Sequence, residues 1–493
     1  MEIARRKPLT AKIGVFGVGH PPYWTQFPGL LDELTEKLGR FCQRVKQEGA
    51  EVVNFGIIDD AEGAARLVPE LNAGNFDLIF CDMVTYATSA SIGRIFSQVH
   101  VPIVLAAIQP KRALDYEHAS TYAQLCNDDF CAVPEFMGVA VRMGRKIPDV
   151  ILGCEIGDPK CDQAISEWVR IARVLHDLRT ARIGHMGHVL EAMLDMHSDP
   201  TALSNAFGIH VVQCEPEDVE KHYSEDFRDE IEAKKREILS FFDTPDPVSD
   251  PVTTRLTDSD LHVAAKAAVA LEKFIAEKKL DGLAYYYEGT ADTPIREVVT
   301  NLIVGNSLLT AAGFPMCGEY DIKTCIAMLI FDRLGIGGSF AEFHPLDFDR
   351  NIILVGHDGP HHLNIADGKP VIRSLKKYHG KPGKGASVEF RIKVGPITML
   401  SVGVRPDGKF RFVVAEGESL DGPIPPTGNT NTHGWFGDDL CGFLKRWVKA
   451  GPTHHFALGI GHHAATLEKL ADVLGIECCV IRRATAETTL PTP

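Results

Sequence analysis

The stretch Ile13-Gly14-Val15-Phe16-Gly17-Val18 is a short apolar run, and Leu30–Lys46, which follows it, has the spacing of an amphipathic helix. The same alternation of strand-like and helix-like segments continues through Glu51–Ile57, Asp60–Leu71, Phe76–Cys81, Ser89–Gln98 and Val101–Ala107. Strands that alternate with helices predict a parallel, doubly wound sheet, whose ligands lie at the carboxyl ends of the strands. The loop Gly17–Tyr23 at that position lacks the GxGxxG spacing, so we do not expect a dinucleotide there.

A second α/β pattern follows, and the last third of the chain changes character. The second pattern comprises helix Gln163–Leu178, strand Ala181–Gly184, helix Leu261–Lys279 and strand Gly282–Glu288. From about Ile352, short alternating strands stand between turns rich in Gly, Pro and Asp, which is typical of a small antiparallel barrel or sandwich. We therefore predict a Rossmann-like α/β domain over 1–165, a central α/β domain over 166–328 and a β-barrel-rich C-terminal domain over 329–493.

The composition restricts the class of partner. The chain of 493 residues has 51 Lys and Arg against 66 Asp and Glu, a formal charge of −15, which disfavours nucleic acid and anionic membranes. None of the 12 cysteines forms a CxxC pair, and no apolar run approaches the roughly 18 residues of a membrane span. We therefore expect a cytoplasmic protein with reduced thiols and a small-molecule ligand.

Four segments place acids or histidines beside glycine or aromatic residues, near expected loops: Cys317–Thr324, Gly338–Pro345, Val355–Gly359 and Gly459–His463. Two carboxylates with two imidazoles suit Mn²⁺, Co²⁺ or Mg²⁺, which can polarise a carbonyl group, and paired carboxylates can move a proton between carbons. Taken singly, each segment is more often an ordinary helix start, turn or histidine pair. Two further pairs, His361-His362 and His454-His455, compete with the last one. Spacing alone therefore does not define a site.

Taken in order, the four segments resemble the motifs of L-arabinose isomerases. Gly318–Thr324 is similar to Gly-Glu-Gly-Asp-x-Lys-Thr, and Gly337–Glu342 to Gly-Gly-x-Ser-Phe-x-Glu. Leu354–His357 is similar to Leu-Gly-Ser-His, and Gly459–His463 to Gly-Ala-His-His. The resemblance is strong over residues 284–481 and looser, at the level of element order, over the first 180. It implies a divergent member of the L-fucose/L-arabinose isomerase family.

The resemblance implies a reaction and a set of site residues. The reaction is a metal-dependent aldose–ketose isomerisation through a cis-enediol, on an aldose such as L-arabinose or D-galactose. The implied metal ligands are Glu319, Glu342, His357 and His463, with Mn²⁺ expected and Co²⁺ or Mg²⁺ as alternatives. Glu319 and Glu342 are the implied catalytic acid and base, in an order that the sequence leaves open.

The resemblance also implies contacts to the sugar. The predicted substrate-binding residues are His20, Tyr287, His462 and His188. L-arabinose isomerases carry Gly-Ser-Gln-His-Leu-Tyr-Gly after the first strand, a loop that enters a neighbouring subunit's site in family hexamers. The same place here reads Gly17–Trp24, with Gly19 in place of the glutamine. We therefore expect a homo-oligomer, a hexamer or trimer with a shared active site, and leave the sugar open.

Two alternatives remain at this point. One is the L-fucose isomerase branch, against which Glu342 argues because that branch places an aspartate there. The other is a sugar-binding protein that kept the fold and lost turnover, although such a protein has no need of two carboxylates at a metal.

Overall fold

The computed structural model describes residues 3–190, 193–244, 256–290, 292–359, 361–374, 385–425 and 430–482. The chain divides into two compact units. The N-terminal unit comprises Leu9–Asp177, and the unit that we call the barrel unit comprises Met1–Pro8 with Leu178–Pro493. Because the predicted central and C-terminal domains both fall in the barrel unit, the boundary near residue 328 stays a prediction.

The N-terminal unit is built on a parallel sheet with the strand order β2-β1-β3-β4-β5. Its strands are β1 (Lys12–Val18), β2 (Glu51–Ile58), β3 (Leu78–Asp82), β4 (Ile103–Gln109) and β5 (Val150–Cys154). Its helices are α1 (Pro21–Gln26), α2 (Leu30–Gln47), α3 (Ala61–Ala73), α4 (Gly93–Gln98), α5 (Thr121–Leu125), α6 (Val133–Arg142) and α7 (Pro159–Thr180), the last of which continues into the barrel unit. Every residue of β3 is buried, as expected for a parallel strand covered on both faces. The predicted doubly wound α/β fold is confirmed.

The barrel unit begins with a second parallel sheet of order β7-β6-β8-β9. Its strands are β6 (Arg182–Met186), β7 (His210–Cys214), β8 (Gly282–Tyr285) and β9 (Met316–Cys317). The helices are α8 (Pro200–Phe207), α9 (Glu217–Glu220), α10 (Arg228–Phe241), α11 (Asp258–Lys278), α12 (Pro294–Thr300), α13 (Leu302–Ala311) and α14 (Ile322–Leu334). Strand β8 is shorter than the predicted Gly282–Glu288, so Tyr287 and Glu288 lie in the loop after its carboxyl end.

A closed antiparallel barrel follows. Its elements are β10 (Gly337–Asp347), β11 (Ile352–Gly356), β12 (Ala366–Ser374), β13 (Ala386–Ile392), β14 (Gly395–Val404), β15 (Phe410–Leu420), β16 (Thr432–Trp435), α15 (Leu440–Lys449), β17 (Phe456–Ile460), α16 (Ala464–Leu474) and β18 (Glu477–Ile481). Six strands form the ring β14-β17-β10-β11-β16-β15, which the β14–β15 pairing closes. Strand β18 adds to β15 in parallel, and β12 with β13 forms a separate hairpin. The predicted C-terminal antiparallel barrel is confirmed.

Local sequence signals explain where several helices begin and end. Asp60 accepts a hydrogen bond from Gly63 N at the start of α3, and Thr257 with Asp260 forms a capping box at the start of α11. Gly335, with φ of 78°, ends α14 in the left-handed conformation that glycine adopts without steric cost. All 13 residues of α14 are buried. This helix therefore fixes the segment that precedes it, which carries Glu319.

The cysteines and the helices bear on the expectations from composition. All 12 cysteines are free thiols, and most of them are buried. Within the described ranges, no helix combines the length and the apolar character that crossing a membrane requires.

Candidate metal centre

Strand pairing in the barrel brings three of the site side chains together. On β10, Glu342 pairs with Gly356 of β11, so His357 follows directly at the end of the neighbouring strand. On the other side of β10, Ala341 pairs with Phe456 of β17. Continuing that antiparallel register by one residue sets His455 opposite Glu342. Three adjacent strands therefore deliver one carboxylate and two imidazoles to one end of the barrel.

The fourth side chain, Glu319, comes from the connection between β9 and α14. Glu319 and Tyr320 have φ of 59° and 64°, the left-handed region that non-glycine residues rarely adopt. The surroundings hold this conformation, because Tyr320 N donates to Tyr285 O at 3.0 Å and His185 Nε2 contacts Tyr320 O at 3.1 Å. The His185 ring also stacks on Tyr320, with centroids 3.3 Å apart. Strained backbone that its neighbours over-determine is typical of functional sites.

The four side chains contact one another in pairs at this end of the barrel. Nε2 of His455 lies 3.3 Å from Oε2 of Glu319, and Nε2 of His357 lies 3.7 Å from Oε1 of the same carboxylate. Nε2 of His357 lies 3.9 Å from Oε1 of Glu342. The ligand atoms of Glu342, His357 and His455 all lie within 4.8 Å of one another. The side chain of His455 is 0% exposed, whereas that of Glu342 is 32% exposed and marks the open side.

Two buried atoms of this cluster face each other without a well-aligned hydrogen bond. Nε2 of His455 and Oε2 of Glu319 lie 3.3 Å apart, and among the described residues neither has a hydrogen-bond partner of acceptable geometry. Buried polar atoms of this kind are uncommon and call for an ion or another explanation. Two carboxylates and two imidazoles fit a divalent cation such as Mn²⁺, Co²⁺ or Mg²⁺. The residues present therefore fit the metal that the sequence resemblance implies.

The Nδ1 atoms of both imidazoles, which face away from the cluster, contact oxygen atoms, as they do in many metal sites. Nδ1 of His455 lies 3.2 Å from Oδ2 of Asp321, and Nδ1 of His357 lies 2.8 Å from the carbonyl oxygen of Asp358. Asp321 also begins α14, where Thr324 N and Thr324 Oγ1 donate to its carboxylate at 3.1 Å and 2.6 Å. These contacts leave Nε2 of each ring directed into the cluster.

The charges of the cluster reinforce one another. Burial would raise the pKa of Asp321, but contacts with His455, Lys323 and Thr324 bring it to about 2. Burial opposes protonation of His357, yet Asp358, Glu319 and Glu342 raise its pKa to about 9. Burial would also raise the pKa of Glu319, but the surrounding imidazoles hold it well below its usual value. Without a cation, Glu319 and Asp321 are thus charged carboxylates near a protonated His357, and a bound cation would displace protons.

His463, the predicted fourth ligand, is not in this cluster, and the structure places His455 there instead. His463 follows the opposite end of β17, where its Nε2 contacts Ile460 O at 3.2 Å and its backbone N–H donates to Thr398 Oγ1 at 3.0 Å. The five residues of β17 span about 17 Å, so one strand separates the two histidine pairs. His462, at the same far end, contacts Gly417 O at 3.1 Å. We therefore replace His463 by His455 in the candidate ligand set.

The other predicted substrate residues are distributed differently. Burial raises the pKa of Tyr287, and the negative charge of Glu319 raises it further. The Tyr287 hydroxyl therefore interacts electrostatically with the cluster. His188 packs against Tyr286, with ring centroids 4.3 Å apart. His20 belongs to the N-terminal unit, where it follows β1 and packs edge-on against Tyr23 at 4.9 Å. The substrate roles of these residues and of His462 stay predictions.

Four residues at the cluster are not among the predicted site residues. Asp321 lies inside one of the motifs, and the pair His454-His455 competes with His462-His463 in the sequence. A usable signal was present, because His455 directly precedes the apolar run Phe456–Ile460 and so begins a strand. Asp195, which contacts His454 at 2.7 Å, lies 259 residues away in the sequence and left no local signal.

The fold and the cluster together define a class: an α/β protein with a closed barrel and a carboxylate–imidazole cluster whose ligand types fit a divalent cation. The model of the L-fucose isomerase C-terminal domain matches residues 363–482. An L-arabinose isomerase of Nocardioides sp. is 24% identical over 482 residues, which cover 94% of this chain and 92% of the relative. An L-arabinose isomerase of Aeromonas hydrophila is 24% identical over 357 residues, 71% of this chain and 69% of the relative.

A third relative carries a different sugar in its name. A sulfoquinovose isomerase of Priestia megaterium is 22% identical over 320 residues, 63% of this chain and 66% of the relative. Together these similarities confirm the resemblance to the L-fucose and L-arabinose isomerases that the sequence motifs show. The named relatives are isomerases of sugars, in agreement with the prediction of an enzyme of that class.

Proposed function

We propose that this protein is a metal-dependent aldose–ketose isomerase. The observation that carries the proposal is the cluster in which Glu342, His357 and His455 place their ligand atoms within 4.8 Å of one another, with Oε2 of Glu319 3.3 Å from Nε2 of His455. These four residues would hold the cation, with Mn²⁺ expected and Co²⁺ or Mg²⁺ as alternatives. The bound cation would supply Lewis-acid polarisation of the sugar's carbonyl group.

The two glutamates are the proposed proton carriers. Conversion of an aldose to a ketose removes a proton from C2 and delivers one to C1 through an enediol, which requires carboxylates that are held in place. Glu319 is fixed by its backbone and by the imidazoles around it. Glu342 is more exposed, and its Oε1 lies 3.9 Å from Nε2 of His357 and 3.9 Å from Nε2 of His344. Each carboxylate therefore has a distinct surrounding, as an acid and a base acting in turn require.

An aromatic ring supports the imidazoles. Phe340, one of the largest fully buried side chains, packs against His357 and His455 with ring centroids 4.4 Å and 4.3 Å away. This apolar contact excludes water from one side of both rings and restricts their rotation. It favours the preorganised site that proton transfer between neighbouring carbons needs.

The choice of sugar belongs to the same proposal. L-arabinose and D-galactose are the first candidates, and the names of the relatives add sulfoquinovose and L-fucose to the test panel. A homo-oligomer, hexamer or trimer, with a shared active site is also proposed. Sedimentation of the full chain measures the oligomeric state directly.

The test is a panel of aldoses incubated with chelator-treated protein, with and without added Mn²⁺, and scored for ketose. We expect ketose from at least one aldose with Mn²⁺ and none after chelation. Sugar binding that is unaffected by chelator, with no ketose from any aldose, would instead identify a non-catalytic sugar-binding protein.

A further inference from the structure

His454 and His455 are adjacent imidazoles with the same arrangement around them. Their ring centroids lie 3.8 Å apart. Nδ1 of His454 lies 2.7 Å from Oδ2 of Asp195, just as Nδ1 of His455 lies 3.2 Å from Oδ2 of Asp321. Nε2 of both rings faces the same atom, Oε2 of Glu319, at 3.8 Å and 3.3 Å. The ligand set above explains only one of these two matched histidines.

Asp195 is held in place by a buried lysine. Lys323 of α14 is fully buried, and its Nζ donates to the carbonyl oxygens of Asp195 at 2.8 Å and Met196 at 3.1 Å and to Ser198 Oγ at 3.2 Å. Asp195 in turn makes two contacts with His454. Besides the contact with Nδ1 of the ring, Oδ2 of Asp195 accepts a hydrogen bond from the backbone N–H of His454 at 3.0 Å. The His454 ring is therefore positioned by Asp195 and, through Asp195, by Lys323 of α14, and not only by the exposed loop that carries His454.

This arrangement leaves one nitrogen of His454 available to a cation. With Nδ1 bonded to a carboxylate, Nε2 is the atom that can coordinate, and an imidazole backed by a carboxylate is the common form of a metal-binding histidine. The ligand atoms of Glu319, His454 and His455 all lie within 4.8 Å of one another. The separation of 3.8 Å between Nε2 of His454 and Glu319 is too long for a hydrogen bond but suits two ligands of one ion.

We propose that His454 is a third imidazole ligand of the cation in the sugar-free protein, and that Asp195 and Lys323 are its positioning residues. The groups Glu319–His454–His455 and Glu342–His357–His455 share His455, which has a single nitrogen left, so one ion bound there would draw the two groups together. The inference rests on the proposed function only in requiring that the site binds a divalent cation.

The test counts the histidine nitrogens bound to Mn²⁺ by pulsed electron paramagnetic resonance on the sugar-free full chain, alongside Mn²⁺ titration calorimetry. We expect one Mn²⁺ with three imidazole nitrogens in the wild type and two in H454Q. D195N should weaken Mn²⁺ binding by roughly 10- to 100-fold, the usual effect of removing the group behind a metal-binding histidine. H222A is the matched control, because His222 also pairs with a carboxylate, that of Glu277, and belongs to neither ligand group.

The outcomes separate this inference from the proposed function. Two nitrogens in the wild type that stay two in H454Q would overturn the inference while leaving an active isomerase intact. Three nitrogens without ketose from any aldose would overturn the proposed function alone. Absence of any bound Mn²⁺ in the wild type would overturn both. His454 is 36% exposed, so its replacement removes no core side chain, and a thermal unfolding scan of each variant verifies folding.

Discussion

Asp321 and His455 contact each other inside the barrel unit, with Oδ2 of the carboxylate 3.2 Å from Nδ1 of the ring and both side chains 0% exposed. The same aspartate caps the start of α14, and the same histidine directly precedes β17. The contact therefore couples the helix start that follows Glu319 to the barrel strand beside Glu342. It aligns ligands that come from distant parts of the chain.

Replacement of Asp321 by asparagine tests this coupling. Asn keeps a side chain that can cap α14 but removes the charge that orients His455. We expect D321N to fold and to bind Mn²⁺ roughly 10- to 100-fold more weakly than the wild type, as calorimetry would measure. An unchanged affinity in a folded variant would mean that Asp321 serves α14 alone.

The two histidine pairs at the ends of β17 allow a direct test of which histidine binds the cation. We expect H455Q to lose Mn²⁺ binding and isomerisation, because it removes a ligand atom from the centre of the cluster. H463Q should keep both, since His463 lies at the other end of the strand. The measurement is Mn²⁺ titration of both variants under one condition. The reverse order of effects would restore His463 as the ligand.

The pH dependence of metal binding follows from His357. Its pKa is raised to about 9, so without a cation the ring is protonated below that pH, whereas coordination requires the neutral ring. We expect Mn²⁺ affinity to rise with pH between 6 and about 9, by up to roughly tenfold per unit for each proton released. Calorimetry in buffers of different ionisation enthalpy counts the released protons. An affinity independent of pH would show that His357 is already neutral.

Asp82 gives a stability prediction in the N-terminal unit. Burial at the end of β3 raises its pKa to about 8; Lys37 opposes this, while Asp129 and Glu155 add to it. The folded state thus favours the neutral Asp82 carboxyl. The stability that this preference contributes is fully present below the unfolded pKa of about 3.9, and it is lost as the pH rises toward 8. We expect D82N to gain thermal stability over the wild type as pH is raised from 5.5 to 8.5. A difference that stays constant across this range would refute the buried neutral acid.

Patterns of local periodicity predicted much of the fold. The first four strands of the N-terminal sheet lie within a few residues of their predicted positions, and α16 and β18 lie at the predicted residues. Buried strands and amphipathic helices have periods that the sequence displays by itself. The strand predicted over Gly282–Glu288 was too long, because tyrosines favour strand conformation even where the chain has left the sheet.

The candidate site could be predicted only in part. Glu319, Glu342 and His357 each stand in a motif, and the structure brings them together. The choice between His455 and His463 depended on which end of β17 meets Glu342, and strand register is a tertiary property that no local pattern records. The contact of Asp195 with His454, 259 residues apart, is of the same kind.

The most direct measurement is an anomalous difference map at the manganese absorption edge, from crystals of the full chain soaked in Mn²⁺. We expect one peak within bonding distance of Glu319, Glu342, His357 and His455. A map without a peak at this cluster, or with its peak at His463, would contradict it.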